Sequence, residues 1–367
     1  MIKVMIVEDS PAVREFLVHV LSSDADLKVV GAIADGAEAP EAVERLKPDV
    51  ITMDIHMPQV DGFEATRRIM ESCPTPIVIV SGSTSVGEVA TVFHAMEAGA
   101  LALVRRPAGI GHPEHEATVT ELVRTVKVMS EVKLVKRWAR MRSEAGAPAM
   151  PAPEAAGLKP VPAEIRLVAM GASTGGPLAL QTILAGLRSD FPVPVVIVQH
   201  IAPGFTDGFA EWLAESCRLP IHVANHGERI LPGHVYLAPD GAQMRVESEG
   251  RLALSSDGPE NGLRPSVSFL FRSVARVYGP QAVGVLLTGM GKDGAQELKM
   301  MRDAGAVTIA QDKESSVVHG MPGEAIALGA ATYVLPPVRM PAVLASLAAR
   351  SAGLQETPPR EDSYELR

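Results

Sequence analysis

Ser173 lies in the run Gly-Ala-Ser-Thr-Gly-Gly-Pro at 171 to 177, after an apolar stretch and before a helical Leu-Ala-Leu-Gln. A strand, a tight glycine-rich turn and a helix would lift its hydroxyl above a sheet and aim free amides at it, which suits a nucleophile. The turn resembles a phosphate cradle less well. Ser173 replaces the second glycine of a dinucleotide fingerprint, no Lys follows as in a P-loop, and Gly-Met-Gly-Lys-Asp at 289 to 293 lacks the flanking residues of a Walker motif. A serine at its free pKa needs a base, and the base an orienting third group. His200 directly follows the apolar run Val195 to Gln199 and shares the sheet edge expected for Ser173. A lone histidine there more often packs or caps, but convergence with a serine favours the base. For the acid, Asp293 follows one later strand and Asp312 the next. The residue chemistry leaves both open.

A second group of reactive residues falls at strand ends near the amino terminus: Glu8 and Asp9, Asp54, Ser81 and Arg106. Ligands of open parallel sheets bind beyond the carboxyl ends of strands, so these residues should converge. Three carboxylates at one edge repel one another unless a hard cation joins them, and oxygen ligands suit Mg²⁺. In the alternative, Asp9 caps the helix starting at Ser10-Pro11 and Asp54 merely ends a strand.

The elements that must position these groups form two β/α series. In the first, strands are expected at 2–7, 28–33, 50–53, 76–80 and 101–104, with amphipathic helices between them. Five β/α repeats imply a parallel sheet covered on both faces, because parallel strands need helical crossovers. The last helix is expected from near Glu116 to as far as Arg142, where seven basic residues and one acid after Val123 read as a solvated face. From Ser143 to Ala163, 12 of 21 residues are Ala or Pro, so an extended linker is expected there. The second series has strands expected at 165–170, 194–199, 221–224, 235–237, 282–288, 307–311 and 332–335, with a β-hairpin insertion across 243–254. The organisation expected is thus an α/β unit at 1–126, a helical extension and linker at 127–163, a doubly wound parallel-sheet unit at 164–350 and a disordered tail at 351–367.

The bulk properties narrow the function. The 367 residues are too many for one ordinary domain, and 47% hydrophobic content excludes a disordered chain. A net charge of -9 argues against nucleic acid or anionic lipid as a partner over the whole surface, and no short helix-turn-helix unit follows the linker. Cys73 and Cys217 cannot make a disulfide framework or a metal-ligand cluster. No stretch approaches the ~20 apolar residues of a membrane span, so no membrane insertion and a cytoplasmic location are expected.

Val-Glu-Asp-Ser at 7 to 10, Met-Asp-Ile-His-Met-Pro at 53 to 58, Asp61-Gly62 and Val-Ser-Gly at 80 to 82 together resemble response-regulator receiver domains. The resemblance implies a flavodoxin-like (βα)5 fold in which Asp54 accepts a phosphoryl group from a chemotaxis histidine kinase. It also implies Mg²⁺ held by Glu8, Asp9 and Asp54, with Ser81 and Arg106 at the phosphoryl oxygens. Leu103 and Arg106-Pro107 stand where such receivers usually have an aromatic residue and Lys-Pro. Arginine's rigid fork is not a lysine ammonium, so phosphorylation with weakened transmission is expected.

Gly-Ala-Ser-Thr-Gly-Gly at 171 to 176, Gln-His-Ile at 199 to 201, Leu-Ala-Pro at 237 to 239, Leu-Arg-Pro-Ser-Val at 263 to 267, Thr-Gly-Met-Gly-Lys-Asp-Gly at 288 to 294, Ala-Gln-Asp at 310 to 312 and Gly-Met-Pro at 320 to 322 resemble the catalytic domain of chemotaxis-type protein-glutamate methylesterases. That resemblance implies a Ser173, His200, Asp293 triad with Thr174 and Met290 helping to bind an oxyanion, and no cofactor in this unit. It implies methyl-ester hydrolysis and glutamine deamidation on methyl-accepting chemoreceptors. Gln243 and Ser268 replace a histidine and an aspartate usual in that pattern, and are expected to alter substrate contacts.

Overall fold

The computed structural model describes residues 1–82, 86–132 and 164–352. In the first part, β1 (Ile2–Val7), α1 (Pro11–Ser22), β2 (Leu27–Ile33), α2 (Ala39–Leu46), β3 (Val50–Met53), α3 (Gly62–Ser72), β4 (Ile77–Ser81), α4 (Val86–Glu97), β5 (Ala102–Arg105) and α5 (His115–Ser130) alternate strictly. The strands form a parallel sheet in the order β2-β1-β3-β4-β5. Every residue of β3 and β4 is buried, which is why they read as unbroken apolar runs rather than alternating ones. Helix α5 ends at Ser130, well short of Arg142. The basic residues from Lys133, and the Ala/Pro segment after them, lie outside the described residues.

The second part begins with β6 (Leu167–Ala172), α6 (Gly176–Ala185), β7 (Val195–Gln199), α7 (Thr206–Ser216), β8 (Ile221–Val223) and β9 (Val235–Leu237). It continues with β10 (Gln243–Glu247), β11 (Arg251–Ser255), α8 (Val267–Val277), β12 (Ala282–Leu286), α9 (Ala295–Asp303), β13 (Val307–Gln311), α10 (Met321–Ala327), β14 (Tyr333–Leu335) and α11 (Met340–Ala352). Seven parallel strands run in the order β14-β13-β12-β6-β7-β9-β8, and β10-β11 form a separate antiparallel pair. β6 extends two residues past Met170, so Ser173 is the first residue beyond the strand. Strand β12 stops at Leu286 and leaves Leu287 and Thr288 in the following loop. Ser351 and Ala352 belong to α11, not to a tail; the rest of the expected tail lies outside the described residues.

Strand β6 has β7 on one side and β12 on the other, which makes its carboxyl end the place where the chain changes direction across the sheet. The loops after β6, β7 and β12 therefore meet at one rim.

One apolar cluster runs through both parts. Phe93 of α4 packs between Phe209 and Trp212 of α7, with ring centroids 5.1 and 5.4 Å apart, and all three rings are buried. Glu97 of α4 accepts hydrogen bonds from Trp212 Nε1 (3.2 Å) and from Gln181 Nε2 (2.6 Å). His94 Nε2 lies 3.4 Å from Glu215. The first unit is thus docked through α4 onto α6 and α7.

Candidate active site

The parallel register sets the first two site residues side by side. Ala172 pairs with Gln199, so the residues that follow them, Ser173 and His200, leave adjacent strands at the same level. The last rung of the ladder is His200 N donating to Ala172 O at 2.9 Å. On the other side, Ser173 N donates to Thr288 O at 3.0 Å, tying the serine turn to the loop after β12. Gly289 in that loop permits the approach, since a Cβ there would stand 2.7 Å from Ser173 Cβ.

Asp293, 5% exposed, completes the rim. His200 Nε2 lies 2.9 Å from Asp293 Oδ2, although without the alignment of a hydrogen bond. The carboxylate also accepts from Ser266 Oγ (2.9 Å), Val267 N (2.7 Å) and Ser268 N (3.1 Å), the start of α8, where free amides and the helix dipole favour an anion. Burial pushes this carboxyl up, but the imidazole contact and the hydrogen bonds from Ser268 and Val267 outweigh it and hold it at about 2. Asp312 instead accepts from Ser315 N at 3.1 Å and braces its own turn. Of the two acids the sequence left open, only Asp293 contacts His200.

Ser173, Thr174, His200, Met290 and Asp293 all line one cavity of about 420 Å³. Its opposite wall comes from the first unit: Phe93 and Met96 of α4, Leu103 of β5, and Glu121, Arg124 and Thr125 of α5. Among the described residues the Ser173 hydroxyl makes no hydrogen bond. It faces the same cavity as the imidazole with its donor unspent.

Gln243 and Ser268 do not act as the sequence reading expected. Gln243 is fully buried; its Nε2 donates to Leu263 O (3.1 Å), and its Oε1 accepts from Ser266 N (2.9 Å). Ser268 Oγ donates to Glu297 Oε2 (2.6 Å) and accepts from Gly294 N (2.9 Å). Both brace the backbone around Asp293, and neither lines the cavity. Sequence reasoning also passed over Thr288, whose hydroxyl donates to Thr174 O (2.9 Å) and accepts from Val318 N (3.0 Å), fixing the serine turn from behind. Its place just ahead of Gly289-Met290 was the available signal.

The other strand-end site is built differently. Glu8, Asp9 and Asp54 offer carboxylate oxygens that all lie within 4.8 Å of one another. Ser10, not Asp9, is the N-cap of α1, and its side chain makes no cap hydrogen bond, so capping does not account for the acid. Glu8 (1% exposed) and Asp54 (4%) are sealed off, and Glu8 Oε2 has no hydrogen-bond partner among the described residues. Burial, and then the Asp54 charge, push the Glu8 carboxyl up to about 7; burial likewise raises Asp54. Arg106 Nη2 approaches Glu8 and Asp54 only to 3.9 Å, and Ser81 is buried at the end of β4. An orphaned, desolvated oxygen among like charges fits a hard divalent cation such as Mg²⁺.

Fold and geometry together define a two-unit α/β protein, in which an acidic phosphoacceptor-like unit is docked over a hydrolase-like cleft. A family model for CheB methylesterase matches residues 168–344, and one for the response regulator receiver domain matches residues 4–112. The chain is 59% identical over 349 residues to the protein-glutamate methylesterase/protein-glutamine glutaminase of Nitrosospira multiformis, covering 95% of this chain and 98% of that protein. It is 57% identical over 349 residues to a protein of the same name, numbered 4, in Geobacter metallireducens, covering 95% and 99%. The crystal structure of the Thermotoga maritima CheB methylesterase catalytic domain is also similar, with 38% identity over 50% of this chain and 99% of that one and a TM-score of 0.49. This chain belongs to the CheB methylesterase family, with a response-regulator receiver as its first unit.

Proposed function

We propose that this chain hydrolyses glutamyl methyl esters on methyl-accepting chemoreceptors, releasing methanol, and deamidates glutamine side chains at the same site, releasing ammonia. Ser173 Oγ bonds to the ester carbonyl carbon while its proton passes to His200. With Nε2 against Asp293, the imidazole nitrogen left for that proton is Nδ1. Asp293, held ionised by the start of α8, stabilises the imidazolium and keeps the ring oriented. Amides around Thr174 and Met290 take the charge that develops on the carbonyl oxygen; losing one such donor typically costs about 100- to 1000-fold in rate. The carbon–oxygen bond to the leaving group then breaks, and His200 returns the proton to give methanol. A water molecule repeats the cycle on the acyl-enzyme and leaves glutamate. The Ser173–His200 hydrogen bond forms when substrate fills the cavity, since catalytic hydrogen bonds are often made only in the substrate complex.

The observation that carries this reading is the 2.9 Å contact of His200 Nε2 with a buried Asp293 on the wall of the cavity that also holds Ser173. Methanol release from methylated receptors should vanish in Ser173→Ala with the fold intact. Release near the wild-type rate by that variant would overturn the mechanism.

The receiver, assigned to 1–126, is joined through 127–163 to the catalytic unit at 164–350. Its contribution is regulatory. Asp54 accepts a phosphoryl group from a histidine kinase; Glu8, Asp9 and Asp54 would hold Mg²⁺, which would supply neutralisation of negative charge there. Ser81 and Arg106 contact the phosphoryl oxygens, the latter as a fork in place of a lysine. The α4, β5 and α5 walls over the cavity support obstruction of the cleft by the unphosphorylated receiver. Acetyl phosphate with Mg²⁺ should raise methanol release in the wild type but not in Asp54→Asn; an equal rise in both would remove Asp54 from the switch.

A further inference from the structure

Beyond the rung from His200 N to Ala172 O, no further backbone hydrogen bond joins the serine turn to the histidine turn among the described residues. A side chain takes over. Gln199, the last residue of β7 and 6% exposed, donates from Nε2 to Ser173 O (2.8 Å) and to His200 O (2.8 Å). One carboxamide nitrogen therefore ties the main chain at Ser173 to the main chain at His200. The other end of the same group is unusual. Gln199 Oε1 is shielded from solvent and has no hydrogen-bond partner among the described residues. Leaving a buried acceptor unpaired costs about 1 to 3 kcal/mol. A residue needed only to fill space would be better served by Met or Leu. Gly176, the first residue of α6, presses on that oxygen: a Cβ there would stand 2.2 Å from Oε1. The amide is confined from one side and tethered on the other.

We propose that Gln199 is a positioning residue for ester hydrolysis, whose carboxamide fixes the separation between the Ser173 and His200 turns. The inference rests on the reading of Ser173 as nucleophile and His200 as base. Gln199 also lines the cavity, but its carboxamide nitrogen is spent on two main-chain carbonyls rather than on the reacting atoms. Its effect is on the distance over which the serine proton must travel, where a displacement of about 1 Å can cost on the order of 100-fold.

The test uses full-length protein with acetyl phosphate and Mg²⁺ present, comparing wild type, Gln199→Met and Ser173→Ala. In Gln199→Met the length and volume of the side chain are kept and the carboxamide is lost. The expected result is a fall in kcat for methanol release of about 10- to 100-fold with KM unchanged and the melting temperature equal or higher. Covalent labelling of Ser173 by a small fluorophosphonate, which needs no receptor binding, should slow by a similar factor. Labelling of Gln199→Met at the wild-type rate, while Ser173→Ala stays unlabelled, overturns this inference alone. Labelling of Ser173→Ala as fast as wild type sinks the nucleophile assignment beneath it. If Gln199→Met does not fold, Gln199→Glu keeps the side-chain length but sets a carboxylate oxygen where Nε2 donates to both carbonyls; slowed labelling supports the proposal, and wild-type labelling overturns it.

Discussion

Two buried carboxylates, Asp293 and Glu8, lie at the carboxyl edges of the two parallel sheets, yet their environments drive them in opposite directions. Asp293 has a histidine contact, two backbone amides and a hydroxyl, and is held at about 2. Glu8 has a second carboxylate nearby, an arginine no closer than 3.9 Å and one oxygen without a partner, and is pushed to about 7. Burial is severe in both. What differs is whether the protein itself supplies the compensating hydrogen-bond donors. A site whose charge is already satisfied suits the chemistry on a neutral ester proposed for it. A site whose charge is unsatisfied fits a hard cation, which is what the proposed phosphorylation of Asp54 would need there.

Perturbing each side in turn tests that contrast. Asp293→Asn should keep the shape of the rim but remove the charge that steadies the imidazolium, lowering kcat for methanol release by about 10⁴-fold; a loss below tenfold would mean that Asp293 only fills space. Next in size is the docking surface between the two sites. Phe93→Ala deletes a buried ring at a cost of about 3 to 5 kcal/mol, drawn from the packing of α4 on α7. Basal methanol release without a phosphodonor should rise as the cleft is uncovered, and unchanged basal release would argue that the docked face does not obstruct it.

Glu8→Gln should stabilise the metal-free protein by on the order of 1 to 3 kcal/mol at pH 8 while weakening Mg²⁺-dependent phosphorylation. The sign follows from the raised carboxyl. Below its ordinary value of 4.5 the group is neutral in both folded and unfolded chains, and the penalty grows as pH rises to about 7. Denaturant midpoints of the two proteins should therefore coincide at pH 4 and separate by pH 8. Equal midpoints at both would show Glu8 to be compensated already. Asp293 runs the other way, contributing stability above its ordinary value of 3.8 that is lost only as pH falls through about 2. The smallest effect is expected from Ser268→Ala, which strips the hydroxyl linking Gly294 N to Glu297 and should cost about 1 kcal/mol, seen as a modest fall in kcat.

Both sites were legible in the sequence for one reason. Parallel strands buried on two faces read as apolar runs, and the candidate residues sit in the first positions after them, which places Glu8, Asp54, Ser173 and His200 at strand ends without coordinates. The choice between Asp293 and Asp312 was not legible, because each follows a strand of the same sheet; it depends on β12, and not β13, being the neighbour of β6. Gln243 and Ser268 were misread as substrate contacts because they lie at the starts of β10 and α8, where a buried polar residue looks the same in sequence as one that faces a ligand. Phe93 and Glu97 were invisible for the opposite reason, since an aromatic residue and an acid on an amphipathic helix look like ordinary core and surface. Gln199 looked like the tail end of a strand, and only its two carbonyl partners distinguish it.

The stacking of Trp212 between the units has a practical consequence. The sequence holds two tryptophans, and this one has its indole against Phe93 and its Nε1 on Glu97, both from the other unit. Any movement that parts the units must strip that indole of Phe93 and Glu97 and wet the face they cover. Its emission is therefore a built-in optical gauge of opening, readable in the unlabelled protein once Trp138 is replaced.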